Sequence, residues 1–321
     1  MKRRLIVLAV LVVCFCGQAS AAPTGSDLIV DTAFVKDKIA RAGWVLVDMR
    51  GPDEYAWGHI PGSVSVPAWV AKTYADDTKR QATIITKLEQ SFGEMGIGSD
   101  SNVIVYGTPV NTFLNTYLFW VLEAGGCNSD RMKCTVRYYD KGVDGWTSDG
   151  GTLDQTATAV KQATFKAATG VKRGTKADEM IRIVEGKEKA VILDVRTANE
   201  YNGTDVRALR GGHIPKAINI DFNKNLDPAT FRMLPLDQLQ TLYKDVPKSA
   251  RVITHCQTGQ RASYSYLVLR ALGYKDVAIY HDGWRVYGSD LKLPVEDETW
   301  YDFNKVNSAV KAVKEMQEQG K

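Results

Sequence analysis

Short aliphatic runs recur along the chain without polar alternation: Val-Leu-Val at 45–47, Val-Ile-Val at 103–105, Val-Ile-Leu at 191–193, Val-Ile-Thr at 252–254 and Val-Ala-Ile at 277–279. A strand with one face in water alternates apolar and polar positions, so continuous runs predict strands buried on both faces. Helix-like stretches lie between them, including 118–125 and 267–273, each ending at a glycine. Strands alternating with helices predict an α/β fold, a mostly parallel sheet flanked by helices on both faces.

The pattern occurs twice. Asp48-Met-Arg50, Glu54-Tyr55 and Gly58-His59-Ile60-Pro61 return as Asp194-Val-Arg196, Glu200-Tyr201 and Gly212-His213-Ile214-Pro215. Asp-Gly-Trp appears late in each half, at 144–146 and 282–284. Self-similarity at this scale predicts two copies of one domain. The expected boundaries are 27–149 and 176–300, joined by a Thr-, Ala-, Gln- and Gly-rich connection at 150–175. Residues 301–321 form a tail, helical or frayed.

Residues present in both copies are first candidates for serving the fold. Arg50 and Arg196 are expected to pair with the glutamate four residues on. Arg196, at the carboxyl end of a strand, is also a candidate to hold an anion. His59 and His213 read as turn-stabilising, and Asp-Gly-Trp as a turn packed by tryptophan. Trp284 is a candidate wall of a pocket.

At 321 residues, 44% hydrophobic and 24% charged, the chain has an ordinary globular composition. Lys2, Arg3 and Arg4 precede an apolar stretch at 5–15 and the small residues Ala19-Ser20-Ala21. That order of parts is a secretory signal peptide, over 1–21. The apolar stretch is shorter than the roughly 20 residues a membrane span needs. Val13 and Phe15, before Cys14 and Cys16, are not the small residues a lipidation site requires. The expected location is therefore beyond the inner membrane, in the periplasm, with the membrane met only through the cleaved signal. Loss of the three basic residues takes the formal charge from +4 to +1, which gives no support to nucleic acid as a partner. Cys127, Cys134 and Cys256 remain; the first two are near enough in sequence to pair, leaving one over. The histidines and cysteines have no metal-ligand spacing, and neither metal nor cofactor is expected.

The copies part company after one strand. The second reads His255-Cys256-Gln257-Thr258-Gly259-Gln260-Arg261-Ala262, whereas the first reads Tyr106-Gly107-Thr108-Pro109-Val110-Asn111. Gly107 stands where Cys256 would, so the first domain is expected to be inactive. A cysteine between a strand and a helix sits where backbone N–H groups and the helix dipole favour an anion, and the thiolate is the reactive form. Gly259 lets the loop curl inward. Arg261 adds a planar cation suited to an oxyanion. Gln257, Thr258 and Gln260 line the same loop as candidate substrate contacts.

With these motifs together, and Leu293-Pro294-Val295-Glu296 near the end, the chain resembles the rhodanese superfamily, in particular the tandem-domain thiosulfate and 3-mercaptopyruvate sulfurtransferases. The resemblance implies an inactive first domain and an active second one. It also implies a Cys256 persulfide formed from a sulfane-sulfur donor and passed to cyanide or a thiol. Thr258 departs from the basic residue or serine that sorts the two donors, so the donor stays open. Two other readings fit parts of the pattern. One is a persulfide or selenium carrier, or a module binding a thioredoxin-like redox protein of the envelope. The other is a phosphatase or arsenate reductase; those carry His-Cys-x5-Arg, whereas this loop has one residue fewer.

Overall fold

The computed structural model describes residues 24–39, 41–66, 81–304 and 315. The signal segment with Cys14 and Cys16, and most of the 301–321 tail, lie outside the described residues.

The first half forms a five-stranded parallel sheet from β1 (Ile29–Val30), β2 (Trp44–Asp48), β3 (Ser63–Ser65), β4 (Asn102–Tyr106) and β5 (Thr135–Tyr139), in the order β1-β5-β4-β2-β3. The second half forms another from β6 (Gly174–Thr175), β7 (Val191–Asp194), β9 (Ile218–Asn219), β10 (Val252–His255) and β11 (Val277–Tyr280), in the order β6-β11-β10-β7-β9. The two orders superimpose strand for strand. The five aliphatic runs are the three inner strands of the second sheet and two of the three inner strands of the first. The remaining strands include two-residue edges with too few positions to show a pattern. A separate antiparallel pair joins β8 (Arg210–His213) to β12 (Glu296–Trp300). His213 therefore ends a strand, where a simple turn was expected.

Each sheet is covered on both faces. Alternate residues of β4 divide between two cores: Val103 and Val105 face one, Ile104 and Tyr106 the other. In β11, Val277 and Ile279 divide from Ala278 and Tyr280 in the same way. The outer faces have private cores, but the inner faces share one. Two helices fill it: α4 (Thr112–Ala124) of the first domain and α9 (Gln260–Ala271) of the second. Buried Leu118, Phe119 and Leu122 meet Leu267 and Val268 there. Polar pairs fix the register. Thr116 Oγ1 lies 2.8 Å from Ser263 Oγ. Glu123, 1% exposed, accepts from Tyr266 Oη at 2.5 Å and from Arg270 at 3.0 and 3.1 Å. A buried carboxylate so paired is neutralised rather than stranded.

Cys127 and Cys134 form a disulfide that closes the loop from α4 into β5. Loop closure on this scale stabilises by about 2–3 kcal/mol in the chain-entropy account. The connecting segment crosses the first domain by an Asp154–His59 bridge and enters the second sheet at Gly174, inside the expected 150–175 connection.

Candidate active site

Cys256 directly follows β10, and Gly259 caps α9. Gly259 has φ +85°, and a β-carbon there would meet His281 Cδ2 at 3.0 Å, so the position needs glycine. With the loop curled this way, the Gly259 N–H donates to Cys256 Sγ at 3.1 Å. The loop is seated from behind by the Asp282–Trp284 turn. Gly283, φ +61°, brings its backbone so close that a β-carbon would lie 2.6 Å from the Cys256 carbonyl oxygen and 2.7 Å from that of Gln257. The N–H groups of Trp284 and Arg285 donate to those same carbonyls at 2.8 and 3.1 Å. Cys256 is 1% exposed. The sulfur is thus buried, with the Gly259 amide on it at hydrogen-bond distance.

Arg261 is held by Glu200, donating at 2.6 and 2.8 Å to its two carboxylate oxygens. Glu200 closes a capping box with Thr197 and also faces Arg207 at 3.2 Å. Burial alone would raise its carboxyl, but the Arg261 bonds and charge prevail and bring it down to about 2. Burial disfavours the charge on Arg261, and Glu200 together with the nearby Cys256 outweighs this and raises its pKa further. Arg261 is therefore a permanent cation beside the thiol. The glutamate four residues past Arg196 belongs to Arg261, not to Arg196 as the spacing implied.

Two expected substrate contacts lie elsewhere. Arg196 is 1% exposed; it donates to both oxygens of Asp194 and to the Gly212 carbonyl, and stacks 4.5 Å over the Trp284 ring. All of this lies in the protein's interior, so Arg196 pins a loop. Trp284 is fully buried and donates to the Arg210 carbonyl at 2.9 Å, packing the turn rather than walling a pocket. Among the loop residues, Gln257 donates to the Arg207 carbonyl at 2.6 Å, which ties the loop to a segment found only in the second domain. Thr258 and Gln260 are half-buried. His59 and His213 each stack on a tyrosine, Tyr55 and Tyr201, at 3.7 Å and bond its carbonyl, as turn-stabilising residues do. His255 is buried beside Asp194 at 3.6 Å; burial lowers its pKa while Asp194 opposes this, so it stands neutral behind the thiol.

A rhodanese-like domain matches the chain twice, over residues 31–149 and 176–290. The chain belongs to the rhodanese family. It is similar to a thiosulfate sulfurtransferase of Pseudomonas aeruginosa, 27% identical over 84% of this chain and 97% of that protein. A putative thiosulfate sulfurtransferase of Mycobacterium leprae is 30% identical over 84% and 98%. The sulfur carrier protein TtuD of Thermus thermophilus is 27% identical over 75% and 86%. Among solved structures, the anaerobic ergothioneine biosynthesis enzyme from Chlorobium limicola superimposes with a TM-score of 0.71 at 18% identity, over 84% of this chain and 70% of that one, a likeness of fold.

In the first rhodanese domain Gly107 stands at the position of Cys256. A β-carbon at Gly107 would sit 2.2 Å from Asn115 Oδ1, so Asn115 fills the space a cysteine side chain needs. Its amide donates to the Thr108 carbonyl at 2.9 Å and holds the loop in this closed form. Matching backbone hydrogen bonds also correct the repeat. Val143 donates to the Gly107 carbonyl just as Trp284 does to that of Cys256, so Gly142 is the counterpart of Gly283. The Asp-Gly-Trp at 144–146 is three residues out of phase, a coincidence of letters. Glu200, with no role assigned to it at the thiol by sequence, had only its Thr197-x-x-Glu200 signature to show, which marks a helix start.

Proposed function

We propose that this rhodanese is a sulfurtransferase in which Cys256 takes sulfane sulfur from a donor such as thiosulfate and passes it to a thiophilic acceptor. The Cys256 thiolate attacks the outer sulfur of thiosulfate; the sulfur–sulfur bond breaks and sulfite leaves with the electron pair. Cyanide or a thiolate then attacks the outer sulfur of the persulfide, and Cys256 departs as thiolate. The observation that carries this reading is the Gly259 N–H on Cys256 Sγ at a strand-to-helix loop, with Arg261 fixed alongside. That amide and that cation stabilise negative charge on sulfur in the resting thiolate and in the departing one. Similarity to thiosulfate sulfurtransferases supports the donor class. Export is part of the proposal, and the Cys127–Cys134 disulfide suits an oxidising compartment. A thioredoxin-like envelope protein would then be a natural thiol acceptor.

Incubation with thiosulfate should add one sulfur, about 32 Da, and cyanide should remove it as thiocyanate. Cys256→Ser should abolish both steps; sulfur loading that persists in this variant refutes the assignment. A sulfur-carrier role is the second reading, favoured by the likeness to a sulfur carrier protein. Stoichiometric loading without turnover on any small acceptor would select it.

A further inference from the structure

Apart from the thiol loop, a concave site lies between the domains. It is a cavity of about 350 Å³, within the range of small-molecule pockets. Its walls are mainly apolar: Phe92, Tyr117, Trp120, Val121 and Phe165 from the first domain and the connecting segment. His281 closes it from the second domain. The His281 ring stacks parallel to Trp120 at 5.7 Å, and its Cδ2 lies against Gly259 of the thiol loop. Its Nε2 has no hydrogen-bond partner. Burial, with Arg285 adding to it, pushes the imidazole down to about 4, so at neutral pH the ring is an uncharged polar group in the cavity wall.

Two charged residues line the cavity. Glu89 is already engaged, accepting from the Ala167 N–H at 2.8 Å and facing Lys166 at 3.3 Å. Lys176 is exposed and has no ion-pair partner among the described residues. The wall thus offers an aromatic trough, one unengaged imidazole nitrogen and, in Lys176, a cation that acts on the Asp282 carboxyl without a close ion pair among the described residues. That set complements a molecule with a hydrocarbon body and a single negative head.

We propose that this interdomain cavity binds an apolar monocarboxylate, its hydrocarbon body packed on Trp120 and Phe165 and its carboxylate at Lys176. The cavity has room for a body of about ten carbons, and burial of such a chain at roughly 0.8 kcal/mol per methylene is the main source of affinity. The ligand is distinct from the sulfur donor, whose outer sulfur must reach Cys256 on the other side of His281. The site therefore stands whether or not the sulfurtransferase reading does.

The test is calorimetric titration of the full chain with decanoate and, as the uncharged control, 1-decanol. Decanoate should bind with Kd below about 100 µM, and more tightly than decanol. Lys176→Gln should weaken decanoate by about threefold to tenfold and leave decanol unchanged. Ala124→Phe, which fills the cavity from α4, should weaken both ligands by at least about tenfold. Cys256→Ser should bind decanoate as wild type does, which separates this site from the thiol. Thermal melts of each variant establish that it is folded. Absence of decanoate binding to wild type, a Lys176→Gln effect equal on acid and alcohol, or wild-type affinity in a folded Ala124→Phe would each overturn the proposal.

Discussion

At Glu200 one carboxylate meets the Arg261 guanidinium, Arg207 and the Thr197 N–H, and this cluster sets the charge beside the thiol. Glu200→Gln keeps the shape but removes the counter-charge that orients Arg261. A fall of about tenfold or more in kcat/KM for thiosulfate is expected, worth about 1.4 kcal/mol of transition-state stabilisation. Wild-type kcat/KM in a folded variant would exclude the positioning role. The same carboxyl gives a pH signature. Its folded pKa, about 2, lies below the ordinary 4.5, so its stabilisation is full above about pH 4.5 and is lost as pH falls toward about 2. Between about pH 5 and about pH 3, wild type should lose more in Tm than Glu200→Gln. At this scale the sequence was legible where the two copies differ. Cys256 stood out because Gly107 replaces it. For Arg196 and Trp284 the sequence left a fold role and a site role both open, because linear spacing does not tell which side of a loop a side chain takes. The Glu200–Arg261 pair was hidden because 61 positions separate its members.

The turn after β11 is the element on which the thiol loop rests. Gly283→Ala would place a methyl group 2.6 Å from one carbonyl oxygen and 2.7 Å from another, at a φ of +61°. The expected cost is about 2–4 kcal/mol in urea unfolding, with a matching loss of sulfur loading. Gly273→Ala is the control: φ is +88° but nothing lies within 4 Å, so only backbone strain of about 1 kcal/mol applies. Equal effects of the two substitutions would show that contact with the loop carbonyls is unimportant. The inner strands were legible because burial on both faces writes an unbroken aliphatic run. Edge strands such as β6 and β9, two residues each, leave no such trace. The β8–β12 pair joins segments more than eighty residues apart, and no local pattern announces it.

Across the whole molecule, the two sheets close on one shared core, and the domain boundary carries a titrating group. Burial raises the Asp140 carboxyl to about 6, against the Met233 N–H from the second domain, which donates to it at 3.0 Å, and the Arg232 charge. A carboxyl whose folded pKa lies above its ordinary 3.8 costs stability once it must ionise. Stability falls as pH rises from about 4 to about 6 and stays lower above that. Asp140→Asn keeps an acceptor for Met233 without the charge. It should raise Tm at pH 8 and have little effect at pH 4; a Tm gain of the same size at both would refute the cause. The twofold repeat was plain in the sequence, but not that its halves share an interior, since α4 and α9 read alone as ordinary apolar helices.

That common interior binds the half with Gly107 to the half with Cys256. Neither half is a detachable module. Cut away at residue 174, the second half would turn the apolar flank of α9 out to water, and the helix that follows the Cys256 loop would keep only its own sheet and the Asp282–Trp284 turn as support. Heating should accordingly produce one endotherm for the intact chain, and two resolved endotherms would contradict the merged core. The first copy acts as scaffolding for the second, and its loss should unmake the fold around Cys256.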